Sequence, residues 1–394
     1  MSMRERQPGR LEAGAAWLEG THRVTSPAQT WERVQPLLRE AGVTRVADLT
    51  HLDSSGVPVH TAVRPRATTH VTSQGKGVSP ILSKVSAVME SLEMWRAEQP
   101  LVPDLVDRPA GEPGDLVDYP VRALDLVDPS LVSDAMPLDW SRAVTVVSGE
   151  ATFVPTRCVG MDRRAVDRWQ PPTFTMWTNG LASGNTREEA LLHAMCELAE
   201  RHAIGRAAPD ISAQPVAPHS LGDPVLDLVV EQLEATANRV DLYHLDSELG
   251  VPCFAATVRS DEGGGSSFAG FGCHPAPGVA ACRAVTEAVQ NRVALIAGTR
   301  DDIATWRYGR EEQAPVTSPS RVASADRDEP ACAAHATTGW SLDIAHNLRT
   351  LAERMEAHTG YAPCYVALTP DDYPIDVVKV VAPGLGAHNM AGLR

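Results

Sequence analysis

The sequence predicts an α+β architecture built on an internally repeated unit, and three observations carry that prediction. First, three stretches share one pattern: an alanine, a glutamate three positions on, and a carboxylate or its amide three further. They are Ala87, Glu90 and Glu93; Ala194, Glu197 and Glu200; and Ala284, Glu287 and Gln290. Second, each pattern sits in an alanine-rich stretch with helical spacing, so residues three and four apart share a face. Third, each stretch is preceded by a glycine-bearing loop and, before that, by a strand-like segment.

Taken in order, the first 40 residues read as helical, with Leu37 to Ala41 running into Gly42. Thr44 to Thr50 and Val57 to Val63 read as strands around a turn at Ser54, Ser55 and Gly56, and Thr69 to Ser73 as a third strand entering the loop Gly75-Lys76-Gly77. Pro80 suits a helical first turn, and the first carboxylate helix is expected from there to about Glu98. Glu98 to Tyr119, rich in proline, glycine and aspartate, reads as a long surface loop. Phe153 to Val159 and Thr175 to Thr178 read as strands, the latter ahead of the loop Asn179 to Asn185. Thr186 is expected to cap the second helix, with Glu188 and Glu189 in the first turn, where the helix dipole favours negative charge. Asp241 to Leu245 and Cys253 to Val258 read as paired strands, Ser260 to Ser267 as a hairpin tip, and Gly278 to Ala297 as the third helix. Glu311 to Pro330 is polar and is expected to be disordered, and a helix Leu342 to His358 and strands Cys364 to Leu368 and Val377 to Val381 close the chain. This divides into an N-terminal helical segment, 1–43, and a single compact unit, 44–394, with long loops near 98–120 and 308–335.

Composition excludes several function classes. A chain of 394 residues can bury a large core, and no apolar run approaches the roughly 20 residues of a membrane helix. Residues Met1 to Arg10 lack the apolar stretch of a signal peptide, so a cytoplasmic location is expected, with no membrane association. Seven scattered cysteines without a CxxC pair support neither a disulfide framework nor a zinc knuckle. A formal charge of −15 argues against nucleic-acid binding.

The repeated carboxylates are the chemical signal. Ser86, Glu90 and Glu93 line one helix face, yet Val85, Ala87, Val88, Met89, Leu92, Met94 and Trp95 leave little of that helix polar. A helix apolar over most of its surface is buried, and buried carboxylates need partners. Glu189, Glu197 and Glu200 fall on one face of the second helix, amid Leu191, Leu192, Met195 and Leu198, with Arg201 adjacent. Glu287 and Gln290 repeat the arrangement, with Arg283 and Arg292 flanking. A single such helix reads as a solvated polar stripe. Three of them point to Mg²⁺ ions and phosphates between the carboxylates. Gly75-Lys76-Gly77 is not a Walker loop but offers an ammonium and backbone N–H groups to a phosphate. A catalytic cysteine is poorly supported, and His193, His202, His274 and His388 favour core or surface roles.

These segments together resemble the YcaO family. Ser73 to Gly77, Ser86 to Glu93, Asn179 to Asn185, Glu189 to Arg201 and Arg283 to Arg292 are similar to its successive signature blocks. The resemblance covers about Thr44 to Gly384. It implies a YcaO-type fold whose strand, glycine loop and helix units converge on a buried ATP and Mg²⁺ site. It also implies ATP-dependent activation of a peptide-backbone amide. By the same resemblance Lys76, Ser86, Glu90, Glu93, Asn185, Glu189, Glu197, Glu200, Arg201, Glu287, Gln290 and Arg292 are expected to bind ATP or its metal ions. Glu90, Glu93, Glu197 and Glu200 are the expected Mg²⁺ ligands, and Glu197, Glu200 and Arg201 the expected catalytic residues.

The segments Gly20 to Val24, Leu52 to Val59 and Val63 to Pro65 resemble the subgroup that works with a TfuA-like partner, which implies backbone thioamidation with sulfur delivered by that partner. The alternatives are azoline or macroamidine formation on a precursor peptide, helped by a leader-peptide-binding partner, and a non-catalytic peptide-docking protein. The residues Pro383 to Arg394 do not resemble the proline-rich tail of many azoline-forming members. The resemblance further implies a homodimer acting on a peptide or protein.

Overall fold

Proline and a short polar cap open three of the helices, and a left-handed glycine closes two. Ser79 accepts a hydrogen bond from the Leu82 N–H ahead of Pro80, and Asp223 and Asp343 cap two later helices in the same way. Gly298 and Gly360, both with positive φ, end two helices, the second of them the one that Asp343 caps. The structure is a computed structural model that describes residues 17–111, 117–161, 173–206, 213–260, 267–298 and 339–386. The expected features at 1–16, 261–266 and 311–330, the loop near 308–335, Cys332, His388 and the last eight residues lie outside these.

In chain order the elements are β1 (Trp17–Leu18), β2 (His22–Arg23), α1 (Pro27–Val34), α2 (Leu37–Glu40), β3 (Arg45–Asp48), β4 (Val59–Val63), β5 (Thr72–Lys76) and α3 (Pro80–Ala97). Next come β6 (Leu105–Pro109), β7 (Pro137–Thr145), β8 (Ala151–Pro155), β9 (Leu181–Gly184), α4 (Arg187–Arg206), β10 (Gln214–Val216) and α5 (Pro224–Ala235). The chain continues through β11 (Asn238–Leu245), β12 (Cys253–Ser260), β13 (Ser267–Cys273), α6 (Pro277–Ala297), α7 (Ile344–Thr359), β14 (Cys364–Ala367) and β15 (Asp376–Val381). The strands pair antiparallel in three main sheets: β3-β4-β5, β6-β7-β14-β15-β9 with β8 on β7, and β10-β11-β12-β13.

Each carboxylate helix lies on a sheet of its own: α3 on β4 and β5, α4 on β9 and β15, and α6 on β12 and β13. Beneath α3, Val88 and Leu92 share a core with Trp140 and Val154. Met195 of α4 packs with Leu351 and Met355 of α7 and Val378 of β15. Val285 and Val289 of α6 meet Phe254, Leu226 and Leu233.

Two glycines read as loop residues before these helices stand inside strands instead, Gly75 in β5 and Gly184 in β9, while Gly77 and Gly180 lie outside the strands. Gly270 and Gly272 belong to β13. A methyl group on Gly75 would lie 2.1 Å from the Ala87 nitrogen, and one on Gly270 would lie 2.3 Å from both Ala284 O and Ala288 N. Glycine in the strand and alanine in the helix thus let two backbones touch. The strand placed at Thr175–Thr178 is absent. The neighbouring Leu181–Gly184 pairs with β15 in its place, because its main chain lies in register with Asp376–Lys379.

The supposed surface loop over 98–120 contains β6, and Val117 and Tyr119 are buried, the Tyr119 hydroxyl donating to Phe153 O at 2.8 Å. Helix α5 was not anticipated, although Asp223-Pro224 followed by Leu226, Val229, Val230 and Leu233 carries an ordinary cap and apolar face. Glu98, at the end of α3, is held by a buried bidentate pair with Arg64 at 2.8 and 3.0 Å. No helix among the described residues is long and apolar enough to cross a membrane.

Gly75→Ala and Gly270→Ala are each expected to destabilise the fold by about 3 kcal/mol or more, because the added methyl meets main chain that cannot yield. Gly205→Ala in α4, where nothing lies within 4 Å of the added carbon, should be neutral or gain up to ~1 kcal/mol. Equilibrium denaturation of the three variants checks this ordering.

Candidate active site

Alanine faces toward the sheets leave the opposite faces of α3, α4 and α6 turned toward one another. Between them lies a cavity of about 470 Å³, within the usual range for a nucleotide-sized ligand. Its wall includes Lys76, Ser86, Glu90, Glu93, Asn185, Glu189, Glu197, Glu200, Arg201, Glu287 and Gln290. The structure therefore brings together every site residue expected from sequence except Arg292. That guanidinium is buried elsewhere, donating to Asp53 Oδ2 at 2.5 and 3.1 Å and to Asn238 Oδ1 at 2.7 Å, and it does not reach the cavity.

On α3, Glu90 is exposed and Glu93 half-buried. One Glu93 oxygen accepts from both the N–H and the hydroxyl of Ser183, at 2.9 and 2.6 Å. Burial pushes the Glu93 carboxyl up to about 8. The neighbouring Glu90 and Glu197 add to that rise, and the Ser183 bonds oppose it. On α4, burial likewise raises Glu197, against the pull of Arg201 and Lys379, and takes Glu200 up to about 7 with help from Glu287. Arg201 reaches Glu200 Oε1 at 3.0 Å and Glu197 Oε1 at 3.6 Å. Burial works against its charge, yet Glu200, Glu197 and Glu287 together hold it above its ordinary value. On α6, Glu287 takes the Lys76 ammonium at 2.5 Å, and Lys76 and Arg201 overcome burial to keep that carboxyl low.

Glu189 is already engaged. Its Oε1 accepts from the N–H and amide of Asn185 at 3.1 and 3.0 Å, and its Oε2 from the Val24 N–H at 3.0 Å. Thr186 Oγ1 in turn accepts from the Glu189 N–H at 3.3 Å, so the expected cap is present. Asn185 Oδ1 accepts from Thr30 at 2.9 Å. These bonds dock the segment around residues 23–30, which also lines the cavity, onto the start of α4.

Several residues here were not among the expected site residues. Arg23 and Arg283 approach His193 from its two ring nitrogens, at 3.4 and 2.8 Å. Burial, then Arg283, Arg23 and Lys76, drive the His193 pKa well below its ordinary value, so it is neutral. The buried Lys379 donates to Trp177 O at 2.7 Å and Asn179 O at 2.6 Å, and Gly180 N–H reaches Glu197 Oε2 at 3.3 Å. Burial lowers that lysine to about 8. A detectable signal was present: a single lysine in the run Val377 to Val381, otherwise all valine. The described cysteines are free, and burial pushes Cys282 and Cys364 up to about 12 and Cys273 well above its ordinary value, which makes them poor nucleophiles.

The donor set fits a nucleotide held through hard cations. Glu90, Glu93, Glu197 and Glu200 are oxygen donors of the kind Mg²⁺ takes. Three of these carboxyls titrate high in the metal-free protein, as expected where like charges are buried without enough compensation. Gln74, also on the wall, has both side-chain amide atoms buried without a hydrogen-bond partner. Fold and cavity thus define an α+β nucleotide- and metal-binding protein.

Comparison with known proteins gives the family. A family model described as YcaO cyclodehydratase, ATP- and Mg²⁺-binding, matches residues 74–386. An uncharacterized Mycobacterium tuberculosis protein is 37% identical over 381 residues, 95% of this chain and 85% of its own length. A Rhizobium leguminosarum bv. trifolii protein, described only as lying in the tfuA 3' region, is 33% identical over 409 residues, 98% of this chain and 95% of its own. Among solved structures, a heterocyclase in complex with substrate and cofactor superposes with a TM-score of 0.76 at 23% identity. That match covers 96% of this chain, which spans only 54% of that one. YcaO from Methanopyrus kandleri, bound with AMPPCP and Mg²⁺, superposes with a TM-score of 0.67 at 24% identity over 94% of both chains. The chain belongs to the YcaO family. ATP and Mg²⁺ are the ligands of that family.

Glu93 holds its proton more tightly in the folded chain than in the unfolded one. Its contribution to stability is therefore complete below about pH 4.5 and is lost as the pH rises through about 8. His193 has the opposite sense, losing stability as the pH falls below 6.5. In metal-free protein, Glu93→Gln should remove the first effect and keep the second. The variant's denaturation midpoint should gain on the parent's as the pH is raised from about 5 to about 9. A gap that does not change with pH would contradict the raised value.

Proposed function

We propose that this protein activates a backbone amide of a peptide or protein with Mg·ATP and replaces its oxygen with sulfur, giving a thioamide. One observation carries the choice of product. A relative aligned along nearly the whole chain lies in a tfuA 3' region, and this chain's own N-terminal segments resemble the TfuA-associated subgroup. A TfuA-like partner is then the source of sulfide.

Glu90, Glu93, Glu197 and Glu200 would hold the metal ions, and Lys76, Arg201, Arg23 and Arg283 would face the phosphates. Ser86, Asn185, Gln290 and Gln74 supply neutral hydrogen-bonding groups on the same wall. When bound, Mg·ATP supplies the phosphoryl group that turns an amide oxygen into a leaving group. The protein's own residues hold charge in fixed positions around it. Arg201 is locked between Glu197 and Glu200. Glu197 is fixed by the Gly180 N–H and, through the loop Trp177 to Asn179, by Lys379. Glu189 positions Asn185 and the segment carrying Arg23, since its oxygens are already bonded. Such preorganised charge stabilises the transferring phosphoryl group without reorganisation at the moment of reaction.

Intact-mass spectrometry of a substrate peptide incubated with the protein, Mg·ATP, sulfide and the TfuA-like partner tests this. A gain of about 16 Da, abolished by Glu197→Gln, is the expected result. A loss of about 18 Da without sulfide would mean dehydrative ring closure and replace the thioamide reading with an azoline one. ATP binding with no mass change would favour peptide docking without catalysis.

A further inference from the structure

A second cluster of metal-binding character lies outside the cavity. His202 follows Arg201 on α4, about 100° further round the helix. It meets Glu248, from the turn between β11 and β12, and His358, from the last turn of α7. One donor atom from each lies within 4.8 Å of the other two. The Glu248 carboxylate is 3.8 Å from Nε2 of His202 and 3.8 Å from Nε2 of His358, and the two rings stand edge to face with centroids 5.2 Å apart. Both imidazole–carboxylate separations are too long for hydrogen bonds. They are close to the gap of about 3.4 Å that tetrahedral Zn²⁺ leaves between its ligands.

The carboxylate is presented by a specific backbone. Glu248 has a φ of +56°, a conformation few non-glycine residues adopt, and its N–H donates to Asp246 Oδ1 at 2.9 Å. One turn before His358, Arg354 donates to Leu249 O and Gly250 O at 3.2 and 2.8 Å. The turn is thus strapped to the helix that supplies the second imidazole. Two imidazoles and one carboxylate form a ligand set that zinc takes, water completing the tetrahedron. His202 is buried, while Glu248 and His358 keep about a third of their side chains accessible, so an ion can enter from solvent.

We infer that His202, Glu248 and His358 form a Zn²⁺ site that ties the Arg201 end of α4 to α7 and to the 246–250 turn. It stands apart from the Mg²⁺-type carboxylates of the cavity, which present oxygen donors alone.

Isothermal titration of chelator-treated protein with Zn²⁺, in excess Mg²⁺ to occupy the cavity carboxylates, tests it. One equivalent should bind and raise the unfolding temperature. His358→Ala and Glu248→Gln, both at accessible positions and checked for native circular dichroism, should each weaken binding by ~10-fold or more. Glu93→Gln should leave it unchanged. Zn²⁺ bound equally well by both accessible-site variants, or no stoichiometric binding to the parent, would overturn the assignment.

Discussion

The cavity depends on how closely three helices approach their strands. With Gly75 against Ala87 and Gly270 against Ala284 and Ala288, strand and helix meet main chain to main chain, with no side chain between them. Gly184 against Ala190 repeats the arrangement under α4. Such contact fixes rotation as well as distance, because only the glycine–alanine strip can lie that close. The carboxylates, three residues further along α3 and α6 and seven further along α4, then have one direction left to point. Each helix rests on its own sheet, so three separate cores set the positions of charges that meet in one place.

That convergence has an electrostatic cost which the protein meets only in part. Glu287 is balanced by Lys76, and Glu189 by the main chain and amide of its neighbours. Glu93, Glu197 and Glu200 are left above their ordinary pKa, with one Arg201 shared between the latter two. An unpaired buried charge normally neutralises itself by binding a proton. A divalent cation coordinated by their oxygens would do the same at neutral pH, so carboxyls raised in this way are suited to holding one.

Much of this was legible in the sequence because it depends on periodicity. Glutamates three apart on otherwise apolar helices announced faces that meet in one cavity, although Glu90 is exposed, and the cap at Thr186 fell where its side chain placed it. One error has a clear cause. Gly75 and Gly184 sit in segments with the composition of loops, yet stand in strands because the partner helix leaves no room for a side chain. That reason is tertiary and has no local trace. Arg23 and Lys379 are far from the repeated blocks in sequence, and only the docking of the segment around residues 23–30 and the pairing of β15 with β9 bring them in. Arg292 shows the converse. It shares a block with Glu287 and Gln290, but its place on α6 turns it toward Asp53 and Asn238, where the buried fork is fully used.

The positive side of the cavity is as incomplete as the negative side. A neutral imidazole has one acceptor nitrogen, and His193 is flanked by two guanidiniums. The 2.8 Å contact assigns the acceptor Nε2 to Arg283, which leaves Nδ1 carrying its proton toward Arg23. The longer 3.4 Å contact is then the poorly satisfied one, with Arg23 Nε also 3.7 Å from Glu189 Oε1. An acceptor group entering the cavity would relieve it, just as cations would relieve Glu93 and Glu200 across the way. Neither ligand alone satisfies both walls. A cation would leave the arginines repelling each other, and a bare polyanion would meet the glutamates. A polyphosphate carrying its own divalent ions matches both at once, so the two halves of the cavity are complementary to Mg·ATP taken as a single unit.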